Sequence, residues 1–130
     1  LQTDRERMGC VFSAATELTA VGFLDRVVEF GNVLDPTIVS FRQGPAVFST
    51  GREACRPDQI RRQMQLLGNY LMDANLEGGL DADGSLDVYW RFEEIHPLAD
   101  GNGRIGMILF NLIGGTMTDP SIPRSNPAWG

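Results

Sequence analysis

From Ile105 to Ile113 the chain carries apolar side chains nearly all the way round a helical projection. A helix of that kind is stable only when enclosed, so the remaining segments must wrap it. In 130 residues there is material for one such core and not for two. The residues leading into the helix narrow the choice further. His96-Pro97-Leu98-Ala99-Asp100-Gly101-Asn102-Gly103-Arg104 is a glycine-rich turn that opens on the helix N-terminus, where free amides and the helix dipole converge on an anion. Gly101, Asn102 and Gly103 carry no bulky side chains, so backbone N–H groups can approach a phosphate closely. His96 is the only histidine, and histidine alone has an ordinary pKa near neutrality. Asp100 is a hard oxygen ligand suited to Mg²⁺, which is usually held by one or two carboxylates together with substrate phosphates. Each element alone has a plainer reading. Asp-Gly and Asn-Gly pairs also mark hairpins, and a lone histidine is usually structural.

The order of these residues decides between the readings. The run resembles the signature of the Fic family, His-x-Phe-x-Asp/Glu-Gly-Asn-Gly-Arg-x-x-Arg, with Leu98 in place of the aromatic residue and Met107 in place of the second arginine. The resemblance is strongest over residues 35–115. It implies a mainly α, Fic-like helical bundle with a short β-hairpin flap at about residues 37–49. Residues 1–115 then form a single domain, and 116–130 a proline-rich C-terminal tail. It further implies transfer of AMP, or another nucleotide, from a nucleoside triphosphate (ATP as the expected donor) onto a Ser, Thr or Tyr hydroxyl of a target protein. On that reading His96 is the general base and Arg104 stabilises developing charge. Gly101, Asn102, Gly103 and Arg104 hold the phosphates, and Asp100 holds Mg²⁺. The flap residues Ile38, Val39, Ser40 and Phe41 align the target segment by strand addition.

Met107 redirects the expectation. In the family the arginine at this position reaches the terminal phosphate and pairs with an inhibitory glutamate of a Ser/Thr-x-x-x-Glu-Gly/Asn motif. No full copy of that motif occurs. Ser13–Leu18 and Ser49–Ala54 have the wrong last residue, and Asp73–Gly78 the wrong first. Losing both partners together is physically consistent, because losing one would strand a buried charge. Two alternatives stay open: a catalytically reduced Fic-fold module that binds proteins, and a transferase using a different phosphate-containing donor.

Along the rest of the chain, Ala20, Phe23, Leu24, Val27, Phe30 and Leu34 recur at helical spacing, and Val11, Phe12, Ala15 and Leu18 extend the stripe upstream. Asp35-Pro36 ends that pattern. Ile38, Val39, Phe41, Val47 and Phe48 are strand formers split by a turn at Gln43-Gly44-Pro45. Pro57 reads as a helix start, with Ile60, Met64, Leu67 and Leu71 on its buried face and Arg61, Arg62 and Gln65 turned away. Asp81 to Ser85 is a turn rather than a calcium loop, since Gly84 as the sixth position would put Gly79 first. Asp83 or Ser85 would then cap a helix from Leu86 to Ile95, with Glu93 and Glu94 on its solvated face.

The net charge of −6 argues against a general nucleic-acid binder. No apolar stretch reaches a membrane span's length of about 20 residues, so neither nucleic acid nor a membrane is an expected partner. Leu1 reads as the start of a trimmed or processed chain. Cys10 and Cys55 read as reduced thiols of a cytoplasmic protein, or of one delivered into a host cell.

Overall fold

The computed structural model describes residues 20–76, 80–114 and 119–127. The upstream stripe from Val11 to Leu18 and Cys10 lie outside the described residues. Four α-helices are formed among them: α1 (Ala20–Leu34), α2 (Ile60–Leu76), α3 (Ala82–Ile95) and α4 (Asn102–Ile113). A single 3₁₀ turn, Pro57–Gln59, leads into α2, with proline where its missing N–H would be unsatisfied anyway.

The apolar stripes read from the sequence become one core. Phe23, Leu24, Val27 and Phe30 of α1 meet Ile60, Met64, Leu67 and Leu71 of α2, Val88, Phe92 and Ile95 of α3, and Ile105, Ile108 and Leu109 of α4. α3 packs mainly on α4 and α1 mainly on α2, while α2–α3 and α1–α4 contacts close the bundle. The α3–α4 approach is tight at Gly106. A Cβ there would sit 2.7 Å from Glu93 Oε1 and 3.2 Å from Tyr89 Cε1. Beyond α4, the Asn111 side chain pairs with the backbone of Ser121, donating to its carbonyl at 2.9 Å and accepting from its N–H at 2.8 Å. The Trp90 indole donates to the Arg124 carbonyl at 2.8 Å, so the segment 119–127 is strapped across α3 and α4.

Two local expectations are corrected. α3 begins at Ala82, capped by Asp81, whose Oδ1 accepts from the Gly84 N–H at 2.7 Å. Asp81 satisfies an otherwise orphaned amide, which neither Asp83 nor Ser85 does from inside the helix. The hairpin over 37–49, with its turn at Gln43–Pro45, is not formed by the described residues. What forms is a single antiparallel bridge between Val47 and Glu53, closed by Phe48 N–H to the Arg52 carbonyl and turned at Gly51, whose φ is +85°. The reason lies in side-chain competition for the backbone. The Asn32 amide donates to the carbonyls of Pro36 and Ile38, and the Arg42 guanidinium takes that of Gly44. Pro45 has no N–H to offer a ladder. Among the described residues no helix is long and apolar enough to cross a membrane.

Candidate active site

The run from His96 to Arg104 joins α3 to α4 at the bundle's end. His96 terminates α3 in the left-handed conformation (φ 50°, ψ 58°), its N–H still bonded to the Phe92 carbonyl. Pro97 excludes continuation of the helix, and Leu98, fully buried, anchors the loop in the core. Asn102, only 2% exposed, staples the loop shut. Its Oδ1 accepts from Leu98 N–H at 2.9 Å and its Nδ2 donates to the Leu98 carbonyl at 2.8 Å. Gly101 (φ 80°) sits in the left-handed region that only glycine adopts freely. Its N–H is taken by Asp100 Oδ1 at 2.8 Å.

The loop's own hydrogen bonds decide which of its polar groups are already committed. Gly101 N–H is committed to Asp100, and the Asn102 side chain is committed to Leu98. The first hydrogen bond within α4 runs from Ile105 N–H to the Gly101 carbonyl. The amides of Asn102, Gly103 and Arg104 therefore have no partner within the helix. Gly103 and Arg104 are exposed, so these amides lie at an open helix end.

Asp100 is exposed, with one carboxylate oxygen engaged by Gly101. No cluster of three or more potential metal-binding side chains occurs among the described residues. A lone exposed carboxylate suits an ion such as Mg²⁺, which keeps several waters and takes its remaining ligands from substrate phosphates. It does not suit a metal caged by protein alone.

Three residues shape the surroundings of His96. Arg42, buried at 8% exposure, donates through Nε to the His96 carbonyl at 2.5 Å and through Nη2 to the carbonyls of Ile95 and Cys55. Phe48 meets the imidazole edge-on, ring centroids 5.2 Å apart. Arg52 lies over the Phe48 ring at 4.4 Å and pairs with Glu94 at 2.5 Å. The imidazole pKa is lowered, first by burial and then by the Arg42 charge, with the Glu93 backbone carbonyl pulling the other way. The imidazole is thereby favoured in its neutral, proton-accepting form.

Glu93 was expected on a solvated face. Its Oε1 is instead buried without a hydrogen-bond partner against α4, and burial pushes its pKa up to about 7. A raised carboxyl pKa contributes stability that is complete below the ordinary value of 4.5 and is lost as pH rises through 7. Glu93→Gln is expected to flatten the fall in stability between pH 5 and 8, gaining on the order of 1–2 kcal/mol over the parent at pH 8, since a tenfold change in proton affinity is worth about 1.4 kcal/mol before solvent screening. Urea midpoints of both proteins across that range check it. A difference that does not grow with pH would show that the carboxyl is solvated. His96 acts at the other end of the range, where protonation on acidification opposes folding, so only the difference between the two proteins isolates Glu93.

Of the four expected flap residues, Ile38 is in the core at 5% exposure and Val39 is open at 76%, while Ser40 and Phe41 lie between them and Arg42. The loop residues that reach the histidine are Phe48 and Arg42. Sequence reasoning missed Arg42 because its partners lie 54 and 53 positions away. The only trace was an arginine among apolar strand formers.

Comparison with known proteins agrees with this fold. A family model described as Fic/DOC matches residues 29–113. The fold is similar to that of a Fic domain containing signaling protein from Bacteroides thetaiotaomicron VPI-5482, with TM-score 0.65 and 18% identity, covering 85% of this chain and 45% of that one. It is also similar to a Fic family protein from Desulfovibrio desulfuricans G20, with TM-score 0.60 and 22% identity over 87% of this chain and 38% of that one. The N-terminal Fic domain of a VirB-translocated Bep effector protein from Bartonella quintana gives TM-score 0.54 and 20% identity, over 82% of this chain and 64% of that one. The chain thus spans less than half the length of the first two. No curated protein matches it.

Proposed function

The chain belongs to the Fic/DOC family, and from that premise we propose that it transfers AMP from ATP to a hydroxyl side chain of a target protein. The observation that carries this reading is a half-buried histidine at the left-handed end of α3, its pKa lowered by burial and by Arg42, on the loop that opens into the first amides of α4, which have no partner within the helix. In the proposed reaction His96 takes the proton of the target hydroxyl as its oxygen attacks the α-phosphorus of ATP. The bond from that phosphorus to the bridging oxygen breaks, and pyrophosphate leaves. General-base assistance of this kind is typically worth 10²–10⁴-fold. The amides of Asn102, Gly103 and Arg104, with the Arg104 guanidinium, meet the charge that builds on the phosphate oxygens. Asp100 is the residue that would hold Mg²⁺, which when bound neutralises phosphate charge.

Half-buried Met107, one turn into α4, supplies no charge for a terminal phosphate. Met107→Arg is therefore expected to tighten ATP binding several-fold and raise transfer, a hydrogen bond to a charged group being worth about 1.5–3 kcal/mol. Incubation with labelled ATP, GTP, CTP and UTP, scoring transfer to the protein or to a lysate, tests the function. An ATP titration of parent and variant tests position 107. Transfer by neither protein with any nucleotide would leave the family's fold serving as a binding module.

A further inference from the structure

We propose that Arg42 is the positioning residue of His96, its buried guanidinium fixing the left-handed end of α3 and so the direction of the imidazole. The inference rests on the reading of His96 as the general base. A histidine base is commonly oriented by an acceptor on its second ring nitrogen. Here Nδ1 is buried without a hydrogen bond of good geometry, so the ring must be aimed by its own backbone and by packing. That backbone is held at a positive φ, a state that persists only where the surroundings over-determine it. Arg42 provides the determination. Its Nε donates to the His96 carbonyl at 2.5 Å, Nη2 to Ile95 at 3.1 Å and also to Cys55, and Nη1 to Gly44 at 2.9 Å. Its backbone N–H donates to the Pro97 carbonyl at 2.9 Å. The residues on both sides of the peptide that follows His96 are thus clamped by one side chain and its own backbone.

The clamp also ties the ring to its cover. Gly44 and Cys55 flank the bridged turn that carries Phe48, whose edge meets the imidazole. Only a planar guanidinium offers five donors in a fixed fork, so a lysine keeps the charge and loses the geometry. The charged or titratable groups around the ring are Arg42, Arg52 over Phe48, Cys55, and Glu93 and Glu94 on α3. Arg42 is the charge that opposes ring protonation.

The test uses Arg42→Lys and Arg42→Met with two independent readouts. His96 is the only histidine, so its ring signals in the NMR spectrum are unambiguous whether or not the protein is active. Arg42→Lys is expected to unfold cooperatively, to lose the ring-to-ring contact signal between His96 and Phe48, and to lose at least tenfold in kcat with KM for ATP within twofold. Arg42→Met is expected to raise the His96 titration midpoint, whereas Arg42→Lys leaves it near the parent value. A folded Arg42→Lys protein with parental kcat and an intact His96–Phe48 contact would overturn the proposal. Loss of that contact in a protein that transfers no nucleotide would support the positioning role while sinking the transferase reading. Should both variants fail to fold, hydrogen exchange of the Arg42 Nε–H in the parent protein decides. Exchange at least tenfold slower than at exposed Arg104 supports the clamp, and equal rates overturn it.

Discussion

His96→Asn is expected to reduce transfer by at least a hundredfold while the protein stays folded and still binds ATP. The choice of asparagine follows from the backbone. His96 has φ 50°, a region in which asparagine is several-fold enriched and alanine is not. His96→Ala removes the same base but adds the strain of a left-handed alanine, about 1–2 kcal/mol. The pair of variants therefore separates chemistry from folding. Both lose the proton acceptor, and only the alanine variant is expected to unfold at lower denaturant. General-base loss typically costs 10²–10⁴-fold, so transfer within tenfold of the parent in a folded His96→Asn protein would refute the assignment.

The second large effect lies at Asn102. Its side chain closes a ring of two hydrogen bonds on Leu98 in a site with almost no exposure. Asn102→Ala leaves a buried N–H and a buried carbonyl unsatisfied at once. Each such group costs about 1–3 kcal/mol, so a loss of roughly 2–6 kcal/mol is expected, on the order of 10 °C or more in Tm for a chain this size. Asn102→Asp keeps an acceptor for Leu98 N–H but turns a carboxylate oxygen toward the Leu98 carbonyl, and is expected to be no better. Thermal unfolding of the three proteins measures this. A Tm shift of less than about 2 °C for Asn102→Ala, below what even one orphaned group would cost, would mean that the loop does not depend on its staple. Transfer is expected to fall with it, since the same loop carries His96 and Asp100.

What the sequence made legible was whatever repeats along a helix. The stripes Phe23-Leu24-Val27-Phe30, Ile60-Met64-Leu67-Leu71 and Val88-Phe92-Ile95 are buried as their spacing requires, and the apolar run after Arg104 became α4. Arg61 and Arg62 are exposed, as their register demands. Leu98, where the family signature has an aromatic residue, is fully buried. Illegible were the features set by contacts between distant segments. Strand formers between Ile38 and Phe48 signal extended backbone, but not that Asn32 and Arg42 would occupy its carbonyls. Glu93 and Glu94 are identical letters side by side. Only the closeness of Gly106 on another helix makes one a buried acid and leaves the other an exposed partner for Arg52. Asn102 looked like a permissive residue in a glycine turn, because a side chain folded back on its own loop has no sequence period.

The pairing of Asn111 with Ser121 bears on how small a working version of this protein can be made. An amide that both gives to and receives from one backbone residue imitates a rung of sheet within a helical protein. Trimming the chain at Gly115, where the helical pattern stops, would take away that rung and the Arg124 carbonyl that receives the Trp90 indole. The loss would fall on α4 itself, the helix whose other end begins at the loop that carries His96. For recombinant work the segment 119–127 is therefore a brace for α3 and α4, and a shortened version should keep it.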